Sequence, residues 1–323
     1  MKNNIKWRKK MKKTLGLVLL VVVSALLIVS CATKAVESES VAPMNYTEMV
    51  KIAGQTVTTS VGKRAFANAA ETPVVITPSF EIGKYEVTYE LWYTVYEWAT
   101  SEDRGAEKYS FAVNSWVKPE MDFDKYLPIV NVNWRDALIW LNAYTEFSNA
   151  VYGTNMKCVY YSDEQLTKPI RIDDGEPKND STVNRNPGSI DNPYVDDKAD
   201  GYRFPSYADW EFVARGGDPT AADWEFTYSG SNTAAEVAWT KENSGVVSHT
   251  VGTLAPNRLG IYDMSGNVFE WCFDWREEAK TRFIKGGSFD KTEDNSAMDG
   301  YGYNAPGLVN ASRGLRVVRI LSN

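Results

Sequence analysis

From Phe226 to Ile320 no helical period is sustained; short β-prone runs are divided again and again by Gly, Asn, Asp and Pro. A stretch this long cannot bury itself through amphipathic helices, so its interior must be built from large side chains packed across turns and short strands. The chain supplies them: 11 Trp, 18 Tyr and 12 Phe in 323 residues. Helical signals come earlier. Thr88 can cap a helix carrying Leu91, Val95 and Ala99, and a second begins after Asn133 with Ala137, Leu138, Leu141 and Tyr144 at core spacing and Gly153 as its stop. In a third, Ser206 and Asp209 form a capping-box variant, Trp210, Val213 and Ala214 are the buried stripe, and Gly216 with Gly217 ends it. Helices early and irregular β-structure late predict an α+β fold with little regular secondary structure, and exclude collagen, coiled coil and polytopic membrane protein.

The one histidine, His249, removes multi-histidine zinc or iron sites and most Ser-His or Cys-His machinery; a loop hydrogen-bonding role is expected for it. The formal charge is −7, but Met1 to Ser30 carries seven Lys or Arg and no acid, so the remainder carries −14. A domain this acidic is repelled by phosphate backbones, which argues against nucleic acid as a partner. Pro169 to Asp200 holds eight acidic residues among Pro and Gly. Their spacing is looser than that of calcium loops and predicts a solvated loop.

Residues 1–30 read as a basic head followed by an apolar run from Thr14 to Val29, with small Ser30 just before Cys31. The pattern resembles a bacterial lipoprotein signal, in which Cys31 would become the lipidated first residue of a protein held at the cell envelope, on the outer membrane or cell surface. A run of about 17 apolar residues also sits at the lower limit for a plain N-terminal membrane anchor. Residues 31–72, rich in Ser, Thr, Ala, Glu and Lys, are expected to be a polar tether, and residues 73–323 the folded domain. Acylation of Cys31 would leave Cys158 and Cys272, either as a disulfide suited to an exported chain or as two separate buried thiols.

Six stretches occur in an order known from one family: YEVT at 85–88, PIVNVNW at 128–134, GYRFPS at 201–206 leading into WEFVARGG at 210–217, GIYDMSGNVFEW at 260–271, GGS at 286–288 and GLR at 314–316. The chain resembles the formylglycine-generating enzyme, or sulfatase-modifying factor, domain family over roughly Pro73 to Ile320. The resemblance implies a domain related to the C-type lectin fold. Enzymes of the family oxidise a substrate cysteine with copper held by two cysteines, three and eight residues after the serine that matches Ser288. Those positions are Lys291 and Ser296 here, and neither can bind Cu(I) as a thiolate does, so no copper and no family oxidase chemistry is expected. An iron-dependent branch draws histidines from an extra helical domain that this sequence does not contain. A calcium site is also implied, with Asp263 and Glu270 contributing side chains and Gly266 and Val268 carbonyls; the alternative is that the acids cap local backbone.

By the same resemblance Asp290 to Arg313 falls where the family has its active-site surface, yet it is rich in Asp, Asn, Ser, Ala, Gly and Tyr. Asn295, Asp299, Tyr301, Tyr303, Asn304 and Asn310 form a composition common in adaptable binding surfaces, and lectin-fold proteins diversified by retroelements vary in the corresponding region. An ordinary exposed loop has the same composition. The reading that follows is a lipoprotein whose catalytically degenerate domain is a binding or envelope-interaction module for a protein or glycan. The alternative is an oxidoreductase of the sulfatase-modifying factor type that acts on exported protein cysteines.

Overall fold

Three side-chain caps set the helices. In the computed structural model, which describes residues 45–58, 61, 73–76, 79–113, 116, 118–119, 125–173, 181–276 and 280–321, Thr88 Oγ1 accepts from Leu91 N, Asn133 Oδ1 from Asp136 N and Ser206 Oγ from Asp209 N. The helices are α1 (Tyr89–Ala99), α2 (Trp134–Tyr152) and α3 (Tyr207–Ala214). Gly153 ends α2 in the left-handed region (φ 74°), which a residue without Cβ adopts at little cost. The α1 stripe differs from expectation in one respect: Trp92, Val95, Trp98 and Ala99 are buried, while Leu91 is only partly covered. Beyond α3 the described helical segments have no more than four residues.

Eight of the strands build two four-stranded sheets. β1 (Met49–Ile52), β4 (Phe80–Gly83), β7 (Tyr202–Arg203) and β12 (Val318–Ile320) form one, ordered β1-β4-β12-β7; β8 (Phe269–Arg276), β9 (Thr281–Lys285), β10 (Gly302–Asn304) and β11 (Arg313–Gly314) form the other, ordered β10-β9-β8-β11. β2 (Gln55–Thr58) pairs with β3 (Pro73–Ile76), and β5 (Tyr160–Tyr161) with β6 (Tyr194–Val195). This α+β arrangement corrects the boundary expected at Pro73. Met49 to Ile52 lies antiparallel along β4 with Ile52 buried, so part of the expected tether is a strand of the sheet. Its brevity and its central Lys51 hide the signal, because one or two apolar residues suffice on an edge strand. The first 44 residues, including the signal-like segment and Cys31, lie outside the described residues.

The β8–β9 hairpin divides the core. Alternation places Trp271 and Ile284 in a cluster with α1 and α2, where Trp92 stacks on Trp140 at 5.1 Å and Trp134 on Phe204 at 5.1 Å; Cys272 and Phe283 point the other way, into a cluster with α3 and Met298. Both remaining cysteines are buried and unbonded, so the disulfide alternative fails. The described part of the acidic stretch contains β6 and buries Ile170, Ile190, Pro193 and Ala199; among its described acids Asp197 is exposed, Asp173, Asp196 and Asp200 are half-buried, and Asp191 is buried in a two-pronged ion pair with Arg135 (2.7 and 2.9 Å). His249 stacks on Trp239 at 3.8 Å and its Nε2 lies 2.9 Å from the Ser244 carbonyl oxygen, as a loop-ordering residue would.

Candidate ligand-binding face

The turn after β9 leads directly to the two positions where the family resemblance would place copper ligands. Gly287 takes φ 78°, and a Cβ there would lie 2.2 Å from Ser296 Oγ, so only glycine lets the two segments touch. Ser296 is thereby sealed, its hydroxyl buried without a hydrogen-bond partner. Lys291 points the opposite way: its side chain is 47% exposed and pairs with Asp290 at 3.2 Å. Burial opposes ionisation of Asp290, but hydrogen bonds from Ser288 Oγ (2.6 Å) and Lys291 outweigh it and hold the carboxyl below its usual range. One position is thus in solvent and the other in the interior. Burial pushes the Cys272 thiol well above its ordinary pKa, with Asp274 adding to the effect, and raises Cys158 as well, with Glu146 contributing. Burial thus disfavours the thiolate form of both at neutral pH.

The six residues expected to bind ligand separate into two groups. Asn310 Oδ1 accepts from Ser312 N and Oγ, and Asn304 Oδ1 from Ala305 N, so both shape their own turns. Tyr301 packs edge-on against Phe283 (5.5 Å) and Tyr207 (6.4 Å) and belongs to the core boundary. Asp299 is partly covered, Asn295 is exposed and bonds Thr292 Oγ1 (3.0 Å), and Tyr303 is 46% exposed with the Arg276 guanidinium 3.8 Å above its ring. Arg276 was invisible to sequence reasoning, as was its neighbour pair, in which Arg282 lies 3.6 Å from the Trp275 ring across the hairpin. Strand alternation could have suggested Trp275 and Arg282, but only after the register was known.

Lys285 holds this face from beneath. It is fully buried and donates to Met298 O (2.8 Å), Tyr207 Oη (3.1 Å) and Glu211 Oε2 (3.2 Å), tying the 297–301 segment to β9 and α3; Arg215 shares Glu211 at 3.1 Å. Burial lowers the lysine's pKa while Glu211 opposes the change.

The acids expected to hold calcium are committed elsewhere. Glu270 is buried and accepts from Arg316, at 2.6 Å from one guanidinium nitrogen and 3.1 Å from Nε, and from Trp210 Nε1 at 2.6 Å. Arg316 also donates to the carbonyls of Gly83 and Tyr262. Asp263 Oδ2 accepts from Gly252 N (2.7 Å), and the nearby Glu86 accepts from Val268 N and Asn267 Nδ2. Gly266 N donates to Gly286 O and Val268 N to Glu86, and among the described residues no three acidic, His or Cys side chains are disposed to hold an ion. Burial pushes Asp263 up to about 6, with the Glu270 charge adding, and raises Glu86 well above its ordinary value, with Asp263 and Glu270 contributing. Hard-cation sites need ionised oxygens, and here the oxygens of Glu270 face Arg316 and Trp210 while Asp263 Oδ2 faces Gly252 N. We expect superimposable melting curves for the full chain in calcium and in chelator; a rise in Tm with calcium would show that the loop reorganises around the ion.

Comparison with known proteins places this geometry. The chain is 33% identical over 271 residues to the chaperone protein LppX of Paenibacillus barcinonensis, spanning 76% of this chain and 81% of that one. Among solved structures it resembles CarF (TM-score 0.64, 26% identity, 85% of this chain and 99% of that one) and Treponema denticola variable protein 1 (TM-score 0.61, 25% identity, 84% and 95%). Residues 34–321 match the sulfatase-modifying factor enzyme 1-like domain, a span that takes in β1, all six motifs and the Glu270–Arg316 pair, and the chain belongs to that family.

Proposed function

We propose that this protein is a lipid-anchored component of the cell envelope whose degenerate sulfatase-modifying factor domain holds a protein client on the face formed by β10 and residues 290–313. What supports the reading is that the positions where the resemblance would put copper cysteines carry Lys291, in a solvated ion pair, and Ser296, a buried hydroxyl, while Cys158 and Cys272 are buried in the core. Tyr303 under Arg276 supplies a flat, amphipathic contact, the kind of residue pair that carries binding energy at protein interfaces. The chaperone name of LppX is in keeping with a protein client. Anchoring rests on the signal-like segment and Cys31; among the described residues no helix is long and apolar enough to cross a membrane.

Two experiments test this reading. Capture of envelope proteins by the full chain should fall at least about tenfold in Tyr303→Ala, the loss expected of an interface anchor, with little change in stability. Tyr301→Ala should instead lower stability by about 2 kcal/mol through its lost packing. Capture that Tyr303→Ala leaves intact removes the face from consideration. Separately, labelled palmitate should enter the wild type and be absent from Cys31→Ala; equal labelling of the two rules out the lipid anchor at this residue.

A further inference from the structure

Away from the β10 face, a cleft of about 580 Å³ opens between residues 169–172, residues 184–191 and the end of the Glu102–Glu107 turn. Its volume lies within the range of small-molecule sites, but its lining is mainly polar. The floor is the Arg135–Asp191 ion pair, whose side chains are 5% and 0% exposed. Arg135 also donates to the Thr182 carbonyl at 2.6 Å, which fixes the guanidinium in place. One wall is Arg171. Its terminal nitrogen pairs with Glu146, but the other oxygen of Glu146 is taken by Arg104 at 2.6 Å, so two guanidinium groups share one carboxylate. Arg171 Nε is buried and has no hydrogen-bond partner. At the mouth, Lys108 is 38% exposed and pairs with Glu102, which is 90% exposed and therefore weakly held.

Among the described residues the lining contributes three cations and one carboxylate; Arg135 holds that carboxylate on both oxygens, while Arg171 and Lys108 are paired with Glu146 and Glu102 from outside the lining. The Arg171 Nε–H beside the cleft is left without a hydrogen-bond partner, a free-energy cost that an acceptor reaching it removes. A guanidinium and an ammonium at the same cleft favour an oxyanion, and the volume left around them exceeds what one phosphate needs. We propose that this cleft binds a small hydrophilic ligand through a carboxylate or phosphate group, with Arg171 and Lys108 as its contacts and the Arg135–Asp191 pair as a rigid floor. The site is independent of the protein-binding face and neither depends on the other.

Calorimetric titration of the full chain in detergent, with inorganic phosphate and with glucuronate at constant ionic strength, distinguishes the two oxyanions. The expected result is saturable binding of at least one of them, weakened about tenfold or more by Arg171→Gln, weakened severalfold by Lys108→Gln, and unchanged in Tyr303→Ala. Lys108 is at the surface and its variant keeps the fold, so it decides the matter should Arg171→Gln fail to fold. Absence of saturation by either anion, or affinity that neither charge-removing variant reduces, overturns the proposal.

Discussion

Arg316→Met should lower the unfolding free energy by about 3–5 kcal/mol at neutral pH, the loss expected when one partner of a buried ion pair is removed and the other is left behind. Arg316 is fully buried against Glu270, and the charges of Asp263 and Glu86 act on the same guanidinium. Without it, three carboxylates remain in the interior with no compensating cation among the bonds described above. The pH dependence gives the result its signature. Asp263, held at about 6, and Glu86, higher still than its ordinary value, already bind protons more tightly folded than unfolded. A carboxyl whose folded pKa is raised favours the fold below its unfolded pKa, and that contribution is lost as pH rises through the folded value. Removing Arg316 should raise these values further, so the deficit measured by urea unfolding at pH 7.5 should shrink markedly at pH 5. Equal losses at both pH values would mean that the damage is a packing defect and not uncompensated charge.

Lys285→Ala is expected to cost about 3 kcal/mol or more, since it empties a buried site and strips donors from Met298 O, Tyr207 Oη and Glu211 together. Lys285→Met, which keeps volume and gives up only the charge and its bonds, should cost less, because Glu211 retains Arg215. The more telling readout is local. Hydrogen exchange should accelerate in residues 297–301 beyond the general rise caused by lower stability, and client capture should weaken although Lys285 itself touches no ligand. Uniform acceleration over the whole domain would reduce Lys285 to an ordinary core residue.

The parts of this architecture legible in the sequence are those whose causes are local. Thr88, Asn133 and Ser206 lie three residues before the amides they cap, and Gly153 ends the helix it follows, so spacing alone identifies them. The motif order was enough to place the chain in its family. Distant partners were not legible. The charge that answers Glu270, Arg316, is 46 residues away, and nothing in the intervening sequence announces the bond. Tyr301 and Tyr303 share a face by strand alternation, but only the arrival of Tyr207 from α3 decides that the first is covered and the second exposed. Lys285 resembles a solvated strand residue until Glu211 and the Met298 carbonyl are seen around it.

The order β1-β4-β12-β7 carries a kinetic meaning. Val318 to Ile320 is flanked by Phe80 to Ile82 on one side and Tyr202 to Arg203 on the other, so the interior position of that sheet is filled by residues more than two hundred positions after one of its neighbours. Closing loops of this length is slow and yields no sheet until both ends are present. A ribosome that has not yet released residue 320 can therefore offer helices and hairpins, but no completed domain. Until residues 318–320 emerge, β4 and β7 lack the strand that joins them, so this sheet is completed by its late strand and not nucleated by its early ones.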